Sequence, residues 1–127
     1  MKKDIDFGPY NENDLALSEE DFVKVANTND IQPSQMKEVE VNGQNICVVN
    51  VEGKYYAIGS ICTHEGGPLA EGTLEGYEVE CPWHYSKFDV RTGQVTAHPA
   101  SEPVLAYEVK IDGDSILVKK QVKKKSP

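Results

Sequence analysis

Apolar and polar residues alternate along much of the chain with the two-residue period of a β-strand. The alternation is clear over Met36–Val41, and the Asn42-Gly43 pair that follows is a strong signal for a two-residue hairpin turn. Gln44–Val51 is largely apolar, which indicates a buried strand. Glu52-Gly53 then turns the chain into a further strand at 54–58, so the pattern predicts a three-stranded meander.

The other predicted strands are short and are separated by glycine, proline and other turn residues. They lie at 22–26, 77–80, 87–90, 94–96, 104–111 and 115–118. Strands of this length, interrupted this often, indicate an all-β fold in which an antiparallel sandwich or barrel-like base is formed. A chain of 127 residues has the size of one domain.

The two ends of the chain differ from its middle in composition. Residues 1–21 mix charged and polar residues with glycine and proline, so we expect a flexible N-terminal arm. Residues 120–127 hold four lysines and one apolar side chain, so we expect a basic, disordered tail. The folded domain is therefore expected over residues 22–119.

The formal net charge is −8 despite the C-terminal lysines, so the body of the chain is strongly acidic. An acidic surface argues against nucleic acid as a partner, because phosphates repel carboxylates. It suits either a basic redox partner or solubility alone. No apolar stretch approaches the length of about 20 residues that a membrane-spanning helix needs. Because no signal peptide is evident either, we expect a cytoplasmic protein without a membrane partner.

Two short runs combine cysteine with histidine: Cys62-Thr63-His64 and Cys81-Pro82-Trp83-His84. Sixteen residues separate the first histidine from the second cysteine. Zinc sites usually show C-x2–4-C or H-x3–5-H spacing, whereas each run here offers one sulfur and one nitrogen. Together the two runs could therefore give one metal ion two sulfur ligands and a second metal ion two nitrogen ligands. A mononuclear zinc site, or a fold that binds no metal, remains an alternative.

The residues around these runs resemble the two cluster-binding loops of Rieske proteins. The resemblance covers 62–69 and 81–89 in particular and extends over residues 22–119, with further matches at Gly72, Thr92-Gly93 and Pro99-Ala100. It implies the Rieske fold, a β base with a small cluster-binding subdomain inserted at about 60–89.

By the same resemblance, the chain holds one [2Fe–2S] cluster of the Rieske type. Cys62 and Cys81 are implied as ligands of one iron, and His64 and His84 as ligands of the other. The remaining cysteine, Cys47, lies in an apolar run and is predicted to be a buried core thiol. With one spare cysteine, no intramolecular disulfide is possible beside the cluster, which fits a reducing compartment.

The resemblance also implies residues that tune the reduction potential. Ser86 matches a serine that hydrogen-bonds a cluster sulfide in high-potential Rieske proteins, whereas Phe88 replaces their tyrosine and cannot donate a hydrogen bond. Trp83 stands where those proteins have a disulfide cysteine and is expected to pack beside the cluster. Tyr85 replaces the glycine of most members. Rieske centres span about −150 to +300 mV, and we expect a potential in the lower half of that range.

The function implied is that of a single-electron carrier, a Rieske-type ferredoxin. Such proteins pass electrons from a flavin reductase to a terminal oxygenase, often an aromatic-ring dioxygenase. The small Rieske subunit of an assimilatory nitrite reductase is the alternative. The sequence shows no nucleophile, phosphate-binding loop or carboxylate pair that suggests independent catalysis. We therefore expect an electron-transfer component with no catalytic residues of its own.

Overall fold

The computed structural model of the protein describes residues 21–119, which are organised almost entirely as antiparallel β-structure. Two short 3-10 segments, Thr28–Asp30 and Leu69–Glu71, interrupt the strands. The strands are β1 (Phe22–Asn27), β2 (Met36–Val41), β3 (Gln44–Val51), β4 (Lys54–Gly59), β5 (Thr73–Glu75), β6 (Glu78–Glu80), β7 (Lys87–Asp89), β8 (Val95–Ala97), β9 (Ala106–Tyr107), β10 (Val109–Asp112) and β11 (Ser115–Lys119). The predicted all-β antiparallel fold is confirmed.

Three sheets make up the described part of the chain. The first sheet has the order β1-β11-β10, the central sheet β2-β3-β4-β9, and the small sheet β5-β6-β7-β8. The predicted meander forms the body of the central sheet, with Val41 paired to Gln44 across the Asn42-Gly43 turn. Both turn residues adopt positive φ angles, as a two-residue hairpin of this kind requires.

β3 lies between two hydrophobic cores because successive side chains of a strand point to opposite faces. Ile46 and Val48 pack with residues of β1 and β11 in one core. Cys47 and Val49 pack on the other face in a core shared with the cysteine-bearing loops and with Phe88. The largely apolar composition of β3 is therefore a consequence of burial on both faces.

One predicted strand is divided in the structure, and one observed strand was missed. Residues 104–111 were expected as a single strand, but the chain passes there from the central sheet to the first sheet. The Leu105 carbonyl accepts from Gly59 of β4, whereas the Glu108 carbonyl accepts from Lys119 of β11. β5 was not predicted, because three residues with one apolar side chain give too short an alternation to recognise.

The small sheet carries the two cysteine–histidine loops. Leu74, Val79, Phe88 and Val95 are register partners across its four strands, and they form a continuous apolar row. The predicted subdomain at 60–89 includes both loops and three of these strands, and β8 adds residues 95–97. At Gly72 a Cβ would collide with the Glu80 carbonyl, so glycine is needed where the first loop meets β6.

The predicted arm at 1–21 lies outside the described residues except for its last position, and the predicted tail at 120–127 lies outside them entirely. Within residues 21–119, no helix is long and apolar enough to cross a membrane.

Candidate metal centre

The first cysteine–histidine loop, residues 60–72, is closed by its own backbone. The Cys62 N–H donates to the Gly67 carbonyl at 2.8 Å, and the Gly66 N–H donates to the Cys62 carbonyl at 2.9 Å. Ile61 forms an isolated antiparallel bridge with Pro68. These bonds hold Cys62 at the buried base of a turn whose residues 63–66 are exposed.

The second loop, residues 81–86, joins β6 to β7. It is closed by the Cys81 N–H, which donates to the Ser86 carbonyl at 2.8 Å. The chain reverses through His84 and Tyr85, whose φ angles of 68° and 65° lie in the left-handed region. That conformation costs an L-residue about 1–2 kcal/mol, so the reversal is stabilised by the rest of the loop.

Both cysteine side chains are buried next to each other, with exposures of 2% for Cys62 and 0% for Cys81. Burial raises the pKa of the Cys81 thiol, the Trp83 N–H acts against this, and the neighbouring Cys62 thiol adds to the rise. The Trp83 N–H lies 3.3 Å from the Cys81 sulfur. Because a bound metal ion deprotonates a thiol and neutralises its charge, metal binding would relieve this penalty.

The two histidines lie close together at the surface. Their ring centroids lie 5.3 Å apart with the rings 77° to one another. The Glu65 carboxylate lies 3.4 Å from Nδ1 of His84, and both of these side chains are about half exposed. One potential ligand atom from each of His64, Glu65 and His84 lies within 4.8 Å of the others.

A third segment, residues 98–103, ties the two loops together. Thr63 donates its hydroxyl hydrogen to the Glu102 carbonyl at 2.7 Å, which fixes the first loop. The Ala100 N–H donates to the Ser86 hydroxyl oxygen at 2.9 Å, which fixes the second loop. Pro99-Ala100 of this segment was among the positions that match the family, but the Thr63 contact was not predicted, because a lone threonine carries no signal for a partner 39 residues away.

The two predicted tuning residues are both fully buried. The Ser86 hydroxyl oxygen accepts a hydrogen bond from the Ala100 N–H. Its hydroxyl hydrogen has no acceptor among residues 21–119. Phe88 lies in β7 opposite Val79 and belongs to the core that also holds Cys62 and Cys81. The hydroxyl hydrogen of Ser86 is thus not committed to another of the described residues, whereas Phe88 contributes packing.

The burial of Cys47 agrees with its prediction, whereas the exposure of Trp83 differs from it. Cys47 is fully buried as predicted, and burial, with a smaller effect from Glu38, raises the pKa of its thiol to about 12. His98 is an exposed loop residue. Trp83 was expected to act as a packed shield, but 49% of it is exposed. Its inner atoms lie against Gly67 while the rest of the indole faces solvent.

The donor set fits a group that contains two unlike metal positions. It offers two buried sulfur atoms and two surface nitrogen atoms, which is the distribution needed for unequal ligation. The absence of a side chain at Gly67 also fits a bound group, because a Cβ at this position would lie 2.6 Å from the Cys81 sulfur. The loop therefore leaves free the space beside that sulfur that any larger residue would fill. Such an arrangement is suited to a metal centre with thiolate and imidazole ligands at the edge of an all-β domain.

The chain is similar to proteins of one known family. The family model for the Rieske [2Fe–2S] domain matches residues 21–121. The ferredoxin component of biphenyl 2,3-dioxygenase from Rhodococcus jostii is 40% identical over 97 residues, covering 76% of this chain and 91% of that protein. A ferredoxin solved in complex with the oxygenase of carbazole 1,9a-dioxygenase has a TM-score of 0.79 at 32% identity, covering 83% and 98% of the two chains.

A chain described as a nitrite reductase small subunit has a TM-score of 0.67 at 16% identity, covering 76% of this chain and 96% of that chain, which shows a shared fold alone. The chain belongs to the Rieske [2Fe–2S] domain family. Its cofactor is accordingly one Rieske [2Fe–2S] cluster, and it is an electron carrier of the ferredoxin type, not a catalyst.

Proposed function

We propose that Cys62 and Cys81 hold one iron of the cluster and that His64 and His84 hold the other, in a carrier that passes single electrons to a terminal oxygenase. The observation that carries this proposal is the separation of the donors, with both thiols buried and both imidazoles at the surface. When bound, the cluster supplies a one-electron redox centre. The chain supplies its position, its shielding and its exit to the surface.

The residues around the donors each have a part in that task. Burial of the two cysteines keeps water from the thiolates, which would otherwise be open to oxidation. The bonds from Thr63 and Ser86 to segment 98–103 hold the two loops in a fixed relation. The exposed imidazoles bring the redox centre within reach of a docked protein. The fold thus buries the cysteine end of the redox centre and leaves its histidine end accessible to a partner protein.

The proposed partners are a terminal oxygenase as acceptor and a flavin reductase as donor. The relatives that support this are components of dioxygenase systems, and one of them was solved together with its oxygenase. The body of the chain is acidic, which favours partner surfaces rich in lysine and arginine. We also propose a cytoplasmic location, because thiolate ligands and a free Cys47 suit a reducing compartment.

The function is tested by electron transfer from the purified, reduced protein. It is mixed under anaerobic conditions with the oxidised oxygenase component of biphenyl 2,3-dioxygenase or of carbazole 1,9a-dioxygenase, and reoxidation is followed by visible absorbance. We expect transfer to at least one oxygenase, with a rate that falls as salt is raised because opposite charges steer the encounter. Transfer to neither oxygenase, together with rapid transfer to a nitrite reductase catalytic subunit, would establish the alternative function.

Ser86 and Phe88 are proposed to set the reduction potential in opposite ways. Ser86→Ala should lower the potential, because the reduced centre loses a hydrogen-bond donor. It should also destabilise the protein by about 1–3 kcal/mol, because the buried Ala100 N–H loses its acceptor. Phe88→Tyr should raise the potential if its new hydroxyl reaches a cysteine sulfur.

Voltammetry measures both shifts, and chemical denaturation of the same samples separates potential from stability. A Ser86→Ala protein that is less stable but has an unchanged potential would restrict the serine to its bond with Ala100.

A further inference from the structure

We propose that Tyr85 is an anchor residue for the redox partner, with its ring inserting into an apolar recess on the oxygenase that docks over His84. This inference rests on the proposed function, and it adds the residue that provides partner affinity. Tyr85 directly follows His84, a proposed ligand, in the second loop. It is also the most exposed of the large hydrophobic residues in the part of the chain described, at 65%.

The backbone of Tyr85 is in a conformation that glycine adopts more readily. Its φ of 65° lies in the left-handed region, where the Cβ of an L-residue is crowded by its own backbone. Such a conformation persists where the surrounding structure holds it, and it occurs preferentially at functional sites. The fold therefore bears a cost at this position that a glycine would remove.

The Tyr85 side chain contributes little to the stability of the fold. Within residues 21–119 it makes no side-chain hydrogen bond and no ring contact. By contrast, Tyr77 packs against Tyr56 and lies under the Arg91 guanidinium. An exposed ring whose backbone is in an unfavourable conformation, and which forms no hydrogen bond or ring contact among the described residues, is best explained by a contact outside the molecule.

The net charge of the small sheet and its two loops, which carry Tyr85, indicates the chemistry of the partner surface. Residues 60–97 contain six carboxylate side chains and two cationic ones, and one of those cations, Arg91, is paired with Asp89. Glu65 lies on the facing loop, beside His84 and half exposed. The matching recess is therefore apolar in its centre and lined at its edge by lysine or arginine. Tyrosine suits such a position because it has a large ring and few torsions to immobilise.

The test compares holo-protein variants in the oxygenase assay, with the oxygenase components of the biphenyl and carbazole systems as probes. Tyr85→Gly should raise the half-saturating concentration of the accepting oxygenase about tenfold, as expected for loss of an aromatic anchor. Tyr85→Phe keeps the ring and should stay within about twofold of the wild type, since the ring supplies the apolar contact. Iron content, the potential and the melting temperature of Tyr85→Gly should not fall, because glycine relieves the backbone.

Glu52→Gly is the matched control for backbone relief. Glu52 also has a left-handed φ, of 54°, but it lies in the turn between β3 and β4, at the end of β4 opposite the first loop. The Glu52→Gly variant should leave the half-saturating concentration of the oxygenase unchanged.

An unchanged value for Tyr85→Gly, with electron transfer by the wild type intact, would overturn the anchor and leave the proposed function standing. A loss in Tyr85→Phe as large as that in Tyr85→Gly would overturn the ring contact. No transfer from the wild type to either oxygenase would overturn both the proposed function and this inference.

Discussion

Cys81→Ser should purify without a cluster, retaining roughly a tenth or less of the wild-type iron and inorganic sulfide. The serine oxygen is a harder and much less acidic ligand than a thiolate, and here it would be buried beside Cys62 without water to stabilise its charge. The wild type should contain two irons and two sulfides per chain, as the family cofactor requires. Metal analysis and visible spectra of anaerobically prepared protein measure the difference.

Cys47→Ala is the matched control for this substitution. Cys47 is equally buried and belongs to the same core as Cys81, but it lies in β3 and not in a loop. Its loss should leave iron and sulfide at the wild-type level, with a modest loss of stability from the vacated space. Stoichiometric zinc without sulfide in the wild type, or loss of iron in Cys47→Ala but not in Cys81→Ser, would contradict the ligand assignment.

Gly67→Ala should have the second largest effect, with loss of most of the cluster and a destabilisation of about 2–3 kcal/mol. The added Cβ would lie 2.6 Å from the Cys81 sulfur and 3.1 Å from Cγ of Trp83. A proposed ligand cannot move away without leaving its metal, so the overlap must be relieved by displacement of the first loop. Thermal denaturation and iron analysis of the same preparation measure both effects.

Gly66→Ala, at the neighbouring position, is the control. Gly66 has a φ of 81° and no atom within 4 Å of an added Cβ. This variant should lose about 1 kcal/mol from backbone strain and keep its cluster. Equal cluster contents in the two variants would show that the space beside the Cys81 sulfur is not needed for binding.

Elements whose signals are local could be predicted from the amino-acid sequence alone. Met36–Val41 and Gln44–Val51 have the predicted bounds, because the Asn42-Gly43 turn fixes the register of its own hairpin. The candidate ligands could also be named from sequence, because the spacing within each cysteine–histidine run is unusual and the flanking residues resemble one family. The buried state of Cys47 followed from the apolar run around it.

Features that depend on residues far apart in the chain became evident from the folded structure. The segment 104–111 is divided because its two halves pair with β4 and with β11, and an alternation of residues does not reveal a change of sheet. The bond from Thr63 to Glu102 links positions 39 residues apart and arises from the packing of two loops. The partial exposure of Trp83 depends on how the second loop meets Gly67 of the first. A sequence specifies which side chains are present, but not which of them the fold leaves in contact with solvent.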